Sequence, residues 1–479
     1  MSEEKLLTAA VVEFIRGMSP AALEGEHLRL TRRCILDGLA VSLGGSSQPG
    51  MAPLGRYILS LGGREDSRPL GSAGKRLPAH LAALWTGTAG HAMDWDDTQL
   101  AAGPGRPYGL LMHPTMPPLA ASLALADLVA RERGAPVTGA EFMTAFATGF
   151  EVGCKIAEAI NPDHYMRGFH TSGTIGTFAA TGAAAKLLDL DADQTARAIG
   201  IAASCSAGIR ANFGTMTKPF HVGRASENGV TAALLAREGF SANTEALDGK
   251  WGFLTIAGPG GDPGLVTDIF GAPFTMVSPG VSIKPYPSGV LTHPAMDAML
   301  FLMRDEGIGA DDIEAVTLLA GSNVLGPIRY RIAKTELEGK FSFAFLLAAI
   351  ALAGKCGKDE FTDEFVSSPA CQAMQQRVET EFSQEIEDMG WDRIRSKVVI
   401  KTKDGRVFER WADEAYRGGP HNPLSDAELE GKFADNAAGL LDAARQKALF
   451  DLVWSLEKAP DAGELLVLTD WSAIEGTAA

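Results

Sequence analysis

The first part of the chain, to about residue 265, places hydrophobic residues at helical spacing between short breaks of glycine, proline and aspartate. Leu28, Ile35 and Leu39, for example, share one stripe of a helix. Small residues dominate segments 173–185 and 200–208, and such side chains let helix axes approach closely. No long β-branched alternation interrupts this region. The pattern therefore predicts a buried bundle of helices.

A different pattern follows in the middle of the chain. Residues 313–319 are rich in β-formers and predict a strand. Residues 398–402 and 406–408 predict a hairpin, and Asp404–Gly405 between them favours a type I′ turn. Residues 282–284 predict the end of a further strand, carrying Lys284. This segment is predicted to be α+β.

Helical periodicity returns near the C-terminus, where Ser425 and Glu428 have the spacing of a capping box. The chain is therefore predicted to be mainly α. A large all-helical domain is built from both termini, residues 1–275 and 412–479. A smaller α+β domain, residues 276–411, is inserted into it.

Composition and charge exclude several classes of protein. The 479 residues are 46% hydrophobic and 21% charged, which excludes a disordered chain. A net charge of −16 disfavours nucleic acid and anionic membrane surfaces as partners. Five cysteines without CxxC spacing predict neither a disulfide framework nor a thiolate zinc site. No signal peptide or membrane-spanning segment is recognised, so a cytoplasmic location is expected.

The first candidate site is the run HAMDWDDT at 91–98. If the preceding helix continues, Asp94, Asp97 and Thr98 share one face, with His91 three residues before Asp94. Neighbouring carboxylates can raise a pKa, orient a histidine or hold a divalent cation. A solvated acidic helix end is the alternative interpretation.

Two histidines stand at predicted helix entries. His113 follows the glycine- and proline-rich loop 102–111 and could act as a general acid or base, although a helix-entry histidine without a role is commoner. His170 adjoins Thr171 and Ser172 at the start of a glycine-rich helix. The N–H groups at such a helix start favour a carboxylate.

Two basic segments predict anion binding. Lys218, His221 and Arg224 lie on a predicted turn before a helix and would form a local anion site, with Lys218 as carboxylate clamp or proton carrier. Polar residues at a helix entry are the alternative. In segment 282–294, Lys284 and Tyr286 are the substrate-binding candidates.

Seven segments, in this order, resemble the MmgE/PrpD family, which includes 2-methylcitrate dehydratase, cis-aconitate decarboxylase and iminodisuccinate epimerase. The similarity spans nearly the whole chain. The segments are HAMDWDDT from His91, HP at His113, GFHTSGTIGTFAATGAAAKLL from Gly168, TKPFHVGRASENG from Thr217, IKPYPSGVLTHPAMDA from Ile283, EGKFSF from Glu338 and HNPLSDAELEGKF from His421.

The resemblance implies a helical domain, a smaller α+β lid domain, a homodimer, and a site between the domains that needs no metal or organic cofactor. It also implies six site-lining residues: Asp94, Thr98, His113, His170, Lys218 and Lys284. Two positions depart from the family pattern. Gly289 replaces the last histidine of the Lys-x-Phe-Pro-x-His sequence of cis-aconitate decarboxylases, and Phe345 replaces a tyrosine that many relatives carry.

Together these features predict an enzyme that removes a proton α to a carboxylate of a small di- or tricarboxylate. The leading hypothesis is a hydro-lyase similar to 2-methylcitrate dehydratase; the alternative is an epimerase of a substituted succinate. A decarboxylase acting on cis-aconitate and a non-catalytic binding protein rank lower.

Each candidate residue has a predicted role. His113 and His170 are the base and acid, in an order that the sequence leaves open, and Asp94 orients or tunes a histidine. Lys218 belongs to the catalytic set and binds a carboxylate. The remaining predicted substrate-binding residues are Lys284, Thr98, His221 and Tyr286.

Overall fold

The computed structural model divides the chain into two compact units. It describes residues 5–101, 106, 109–110 and 112–471. The helical unit comprises Met1–Asn212, Thr217–Val281 and Asp426–Ala479, and the mixed unit comprises Phe213–Met216 and Ser282–Ser425. The chain is mainly α, as predicted.

Helices account for most of the regular structure in the described ranges. In chain order they are α1 Leu7–Gly17, α2 Gly25–Ser46, α3 Met51–Leu61, α4 Ala79–His91, α5 Met116–Arg133, α6 Gly139–Ile160, α7 Asp163–Met166, α8 Thr171–Leu187, α9 Ala192–Cys205, α10 Thr217–Arg237, α11 Phe253–Ala257, α12 His293–Glu306, α13 Ser322–Leu325, α14 Glu336–Gly339, α15 Phe343–Ala353, α16 Asp363–Ser367, α17 Pro369–Gln375, α18 Gln384–Asp388, α19 Asp426–Ala437, α20 Ala443–Trp454 and α21 Glu464–Leu468. None of the described helices is both long and apolar enough to cross a membrane.

The helical unit brings α4 and α10 into close contact. A Cβ atom added at Gly87 of α4 would overlap the Ser226 hydroxyl, and one added at Gly223 of α10 would overlap the Thr88 hydroxyl. The two helices can approach this closely because these positions lack side chains. As a result, the last residue of α4 meets the first turn of α10.

The C-terminal helices complete the same unit. On α19, the Lys432 ammonium lies 2.6 Å from Asp37 Oδ1 of α2 and donates a hydrogen bond to the Trp95 carbonyl at 2.7 Å. Lys432 and Asp37 are both buried. The C-terminus therefore supports the chain segment that follows α4.

The mixed unit contains a four-stranded sheet in the order β2-β1-β3-β4. The strands are β1 Ile313–Ala320, β2 Val378–Phe382, β3 Ser396–Thr402 and β4 Val407–Trp411. Strand β1 pairs in parallel with β2 and antiparallel with β3, which pairs antiparallel with β4. The predicted strand and hairpin are confirmed.

The turn of that hairpin differs from the prediction. A type I′ turn needs positive φ at both central residues, but only Gly405, at φ 86°, is left-handed; Asp404 is not. Residues 403–406 join the strands, and the Gly405 N–H donates to the Thr402 carbonyl at 2.9 Å. The expectation of type I′ was wrong because the loop is longer than two residues: the Thr402 N–H donates to the Arg406 carbonyl at 2.9 Å, which leaves three residues between the bonded pair.

The chain leaves the helical unit after Val281 and returns to it at Asp426, whereas the predicted limits were residues 275 and 411. Ser282 and Tyr416 share a hydrogen bond of 2.6 Å, and Arg417 pairs with Asp297 at 3.2 Å. These contacts hold residues 412–425 within the mixed unit. Lys284 is buried on irregular backbone rather than on a strand, since only Ser282 of residues 282–284 forms a bridge.

Candidate active site

A tight turn follows α4 and carries the first candidate residues. Helix α4 ends at His91, so the expected helical face joining Asp94, Asp97 and Thr98 does not form. Asp94 is left-handed, with φ 54°. Aspartate adopts this conformation more readily than most residues because its short side chain can bond locally. The turn sends successive acidic side chains in different directions.

Four buried residues form the centre of the site: His91, Asp94, Asp96 and Lys218. His91 Nδ1 lies 2.8 Å from Asp96 Oδ1, and its Nε2 lies 2.9 Å from Lys218 Nζ. The same ammonium is 2.9 Å from Asp94 Oδ2. Lys218 belongs to the first turn of α10 and does not precede the helix as predicted.

His113 lies beside this centre. Its backbone N–H donates to Ser172 Oγ at 2.9 Å, and its Nδ1 is 2.9 Å from the Asp97 carbonyl. A carbonyl only accepts hydrogen bonds, so Nδ1 carries a proton. Nε2 of neutral His113 therefore has a lone pair; it lies 3.7 Å from Asp94 Oδ1. This nitrogen can accept a proton.

His170 and His221 form a second buried pair. His170 immediately precedes α8, and its Nδ1 is 3.1 Å from Nδ1 of His221 on α10. Burial, followed by nearby Lys218, lowers the pKa of His170 well below its usual value. The same causes lower the pKa of His221 to about 4. Both rings are therefore neutral at pH 7, and one must donate to the other.

The carboxylate of Asp97 is hydrogen-bonded to Thr115 rather than to the residues at the centre of the site. Its oxygens accept from the Thr115 N–H at 3.2 Å and from the Thr115 hydroxyl at 2.6 Å. Burial raises the pKa of Asp97 to about 8. Asp96 is the carboxylate hydrogen-bonded to His91, whereas Asp94, predicted to orient or tune a histidine, contacts the Lys218 ammonium at 2.9 Å and lies 3.7 Å from His113 Nε2. Asp96 was not among the predicted site residues, although the run 91–98 contains it.

Thr98 is buried next to this turn. Within the described part of the chain, its hydroxyl has no hydrogen-bond partner. Such a group is expected to bond to something else, since an unsatisfied buried hydroxyl costs about 1–3 kcal/mol. A role in substrate binding stays a prediction.

Lys284 and Tyr286 belong to the mixed unit, whereas the residues of the cluster belong to the helical unit. The Tyr286 hydroxyl donates to Asp297 Oδ1 at 2.5 Å and accepts from Arg417 at 3.0 Å. This hydroxyl is thus held by protein partners. Most of the predicted loop 102–111 lies outside the described residues.

The two departures from the family pattern also lie in the mixed unit. Apart from its chain neighbours, no described residue has a heavy atom within 4 Å of a Cβ built on Gly289. Phe345 is buried, with its ring centroid 5.2 Å from that of Phe361. The first position has room for a larger side chain, whereas the second is part of an aromatic core.

The donor set could also suggest a cation site. One nitrogen or oxygen from each of His91, Asp94, Asp96 and His113 lies within 4.8 Å of the others. However, the Lys218 ammonium already lies 2.9 Å from His91 and from Asp94. It places a positive charge against the same atoms that would ligate a metal, so these residues fit a protonated lysine better than a divalent ion.

Comparison with known proteins places this cluster in context. The MmgE/PrpD N-terminal domain model matches residues 9–265, and the C-terminal domain model matches residues 286–458. The chain is 27% identical to human cis-aconitate decarboxylase, covering 97% of this chain and 94% of that protein. It is also 27% identical to the mouse cis-aconitate decarboxylase, covering 99% and 95%. It is 26% identical to the cis-aconitate decarboxylase-like protein oryM of Aspergillus oryzae, covering 96% of this chain and 97% of that protein. The chain belongs to the MmgE/PrpD family.

Proposed function

We propose that this protein is an enzyme that transfers a proton at the carbon next to a carboxylate of a small di- or tricarboxylate. The observation that carries the proposal is the buried contact of Lys218 with His91 and Asp94 beside His113 and His170. A buried ammonium can bind a carboxylate in an otherwise acidic protein, and neutral histidines can accept the proton.

The roles follow from the contacts. Lys218 binds a substrate carboxylate, and a hydrogen bond to a charged group is worth about 1.5–3 kcal/mol. His113 is the stronger candidate for the base because its Nε2 carries a lone pair. His170 then acts as the acid, receiving its proton through the cluster, and Asp94 orients Lys218. Thr98, His221 and Lys284 are proposed to bind other parts of the substrate.

Two lyase reactions can use this proton transfer. Loss of water from a citrate-like acid is the first, and Gly289, in place of a histidine of cis-aconitate decarboxylases, supports it. Decarboxylation of cis-aconitate is the second, supported by the names of the curated relatives. Both reactions pass through negative charge next to a carboxylate.

Epimerisation ranks below these reactions. Two bases acting on opposite faces of one carbon need their nitrogens roughly 6 Å apart, twice a reactive contact of about 3 Å. A ring nitrogen of His113 lies within 4.8 Å of one of His170. That pair of nitrogens is too close to enclose a carbon atom in line, so it does not support a two-base reaction.

Proton NMR in D₂O tests the proposal. The purified protein is incubated with 2-methylcitrate, citrate, cis-aconitate and substituted succinates, together with the variants Lys218→Ala and Lys186→Ala. Lys186 is a lysine whose ammonium bonds to the Arg16 carbonyl, outside the cluster. Deuterium entering next to a carboxylate, lost in Lys218→Ala and kept in Lys186→Ala, supports the proposal, and the product identifies the reaction. Exchange that survives Lys218→Ala, or no exchange with any acid, contradicts it.

A further inference from the structure

We infer that His91 and Asp96 form a positioning pair that holds Lys218 for the reaction proposed above. Asp96 fixes the tautomer of His91, and His91 fixes the ammonium of Lys218 against Asp94. Only the expected effect of this pair on catalysis rests on the proposed function. The hydrogen-bond arrangement itself can be tested without substrate.

The protons in this chain of contacts have one consistent arrangement. Asp96 presents both carboxylate oxygens to His91 Nδ1, at 2.8 and 3.0 Å. An ionised carboxylate only accepts, so Nδ1 of His91 is the donor. The ammonium of Lys218 only donates, so Nε2 of His91, 2.9 Å away, is the acceptor. His91 is then neutral with its proton on Nδ1.

Burial makes this arrangement specific. His91 and Asp96 are 1% and 0% exposed, and Lys218 is 5% exposed. Low local polarity strengthens each hydrogen bond and penalises a wrong one. With the other tautomer, the Nε2 proton of His91 would face an ammonium that has no lone pair. A change at Asp96 should therefore displace Lys218 through His91.

The helical unit contains a matched control. His164 is also fully buried; its Nδ1 lies 3.0 Å from the Ala257 carbonyl, and its Nε2 lies 2.7 Å from Thr174 Oγ1. By the same reasoning its proton is on Nδ1. His164 has no part in the proposed site, so it separates the general effect of a buried histidine from the effect on Lys218.

The first test is ¹⁵N NMR of protein labelled at histidine, without substrate, for the wild type, Asp96→Asn and Lys218→Ala. We expect the His91 signals to show the Nδ1–H tautomer, with an Nε2 shift that changes in Lys218→Ala. In Asp96→Asn, whose amide can donate to Nδ1, we expect the Nε2–H tautomer to appear. The His164 signals should stay unchanged. An Nε2–H tautomer in the wild type, or identical His91 signals in all three proteins, overturns the inference.

The second test is kinetic and uses Asp96→Asn, His91→Gln and the control His164→Gln. Because a misplaced group can cost about 100-fold in rate, we expect kcat/KM of Asp96→Asn to fall by about that factor. His91→Gln, which can still offer an acceptor to Lys218, should retain more activity than His91→Ala, and His164→Gln should remain near wild type. An Asp96→Asn variant with the wild-type kcat/KM overturns the positioning role. If the wild type processes no acid, the proposed function fails, while the spectra still decide the arrangement around His91.

Discussion

The ammonium nitrogen of Lys218 lies 2.9 Å from Asp94 Oδ2, joining the first turn of α10 to a left-handed residue after α4. Both side chains are buried, so this ion pair is poorly screened by solvent. The pair connects the two properties that the site needs: a fixed positive charge for an anionic substrate and a constrained backbone that aims the carboxylate.

Substitutions at Asp94 should separate the effect of its charge from the effect of its backbone conformation. Asparagine tolerates φ 54°, so Asp94→Asn should fold but lose about 100-fold in kcat/KM as Lys218 loses its partner. In Asp94→Ala the free energy of unfolding should fall by a further 1–2 kcal/mol or so, since alanine disfavours this conformation. Asp189, also left-handed at φ 50°, provides the control. Asp189→Ala should show the backbone cost in urea unfolding and keep full activity.

The two proposed catalytic histidines should fail in different ways. Removing a general acid or base typically costs about 10²–10⁴-fold in rate. If His113 is the base, His113→Asn loses both turnover and deuterium exchange into the substrate. If His170 is the acid, His170→Asn loses turnover but keeps exchange. NMR in D₂O measures both rates; the reverse pattern would exchange the two roles.

Asp97 should make the stability of the helical unit fall with rising pH. Its pKa of about 8 lies above the ordinary value of 3.8, so the folded protein binds the proton more tightly. The resulting stabilisation is complete below pH 3.8 and is lost as the pH rises to about 8. The Tm of the wild type minus that of Asp97→Asn should therefore decrease by several degrees between pH 4 and pH 8. A constant difference would show that Asp97 is already ionised in the folded state at pH 4.

Lys432 should matter more for stability than an ordinary lysine. Lys432→Met leaves Asp37 buried without its cation, and breaking such a pair costs about 3–5 kcal/mol. Adding Asp37→Asn should recover part of the loss. Lys447→Met, which removes an exposed pair with Asp451, should change the free energy of unfolding by less than about 1 kcal/mol. Urea unfolding compares the variants; equal effects of the two lysine changes would contradict a buried ion pair.

Gly289 offers a test of reaction choice. Its backbone is extended, at φ −57° and ψ 129°, and its Cβ position is open, so Gly289→His should fold normally. We expect the variant to release more CO₂ from cis-aconitate than the wild type. Gly431→His, at a second open position on α19, is the control for adding a histidine. Unchanged CO₂ release with intact folding would remove Gly289 as a reason to rank dehydration first.

Sequence patterns predicted the larger features of the fold well. β-Formers at 313–319 identified β1, because branched side chains pack well on a pleated, half-buried surface. The helical character of both termini was also clear, since each helix carries its own periodicity. Homodimer formation, a cytoplasmic location and a lid function for the mixed unit stay predictions.

The details of the site could not be predicted from the same patterns. A helical continuation through 91–98 groups Asp94 with Asp97, whereas one left-handed residue rotates the chain and presents Asp96 to His91. Similarly, Tyr286 looked available for substrate, but Asp297 and Arg417 occupy its hydroxyl from positions distant in sequence. Single backbone angles and remote partners leave no periodic signal.

The contact of Lys432 with the Trp95 carbonyl also has a consequence for biosynthesis. Domains of a nascent chain generally fold in order of their emergence from the ribosome. Here the turn that carries Asp94 and Asp96 receives its support from α19, which emerges only after the whole mixed unit has been translated. The N-terminal helices must therefore wait with an incomplete core, and chains truncated before Asp426 should depend on chaperones and remain inactive.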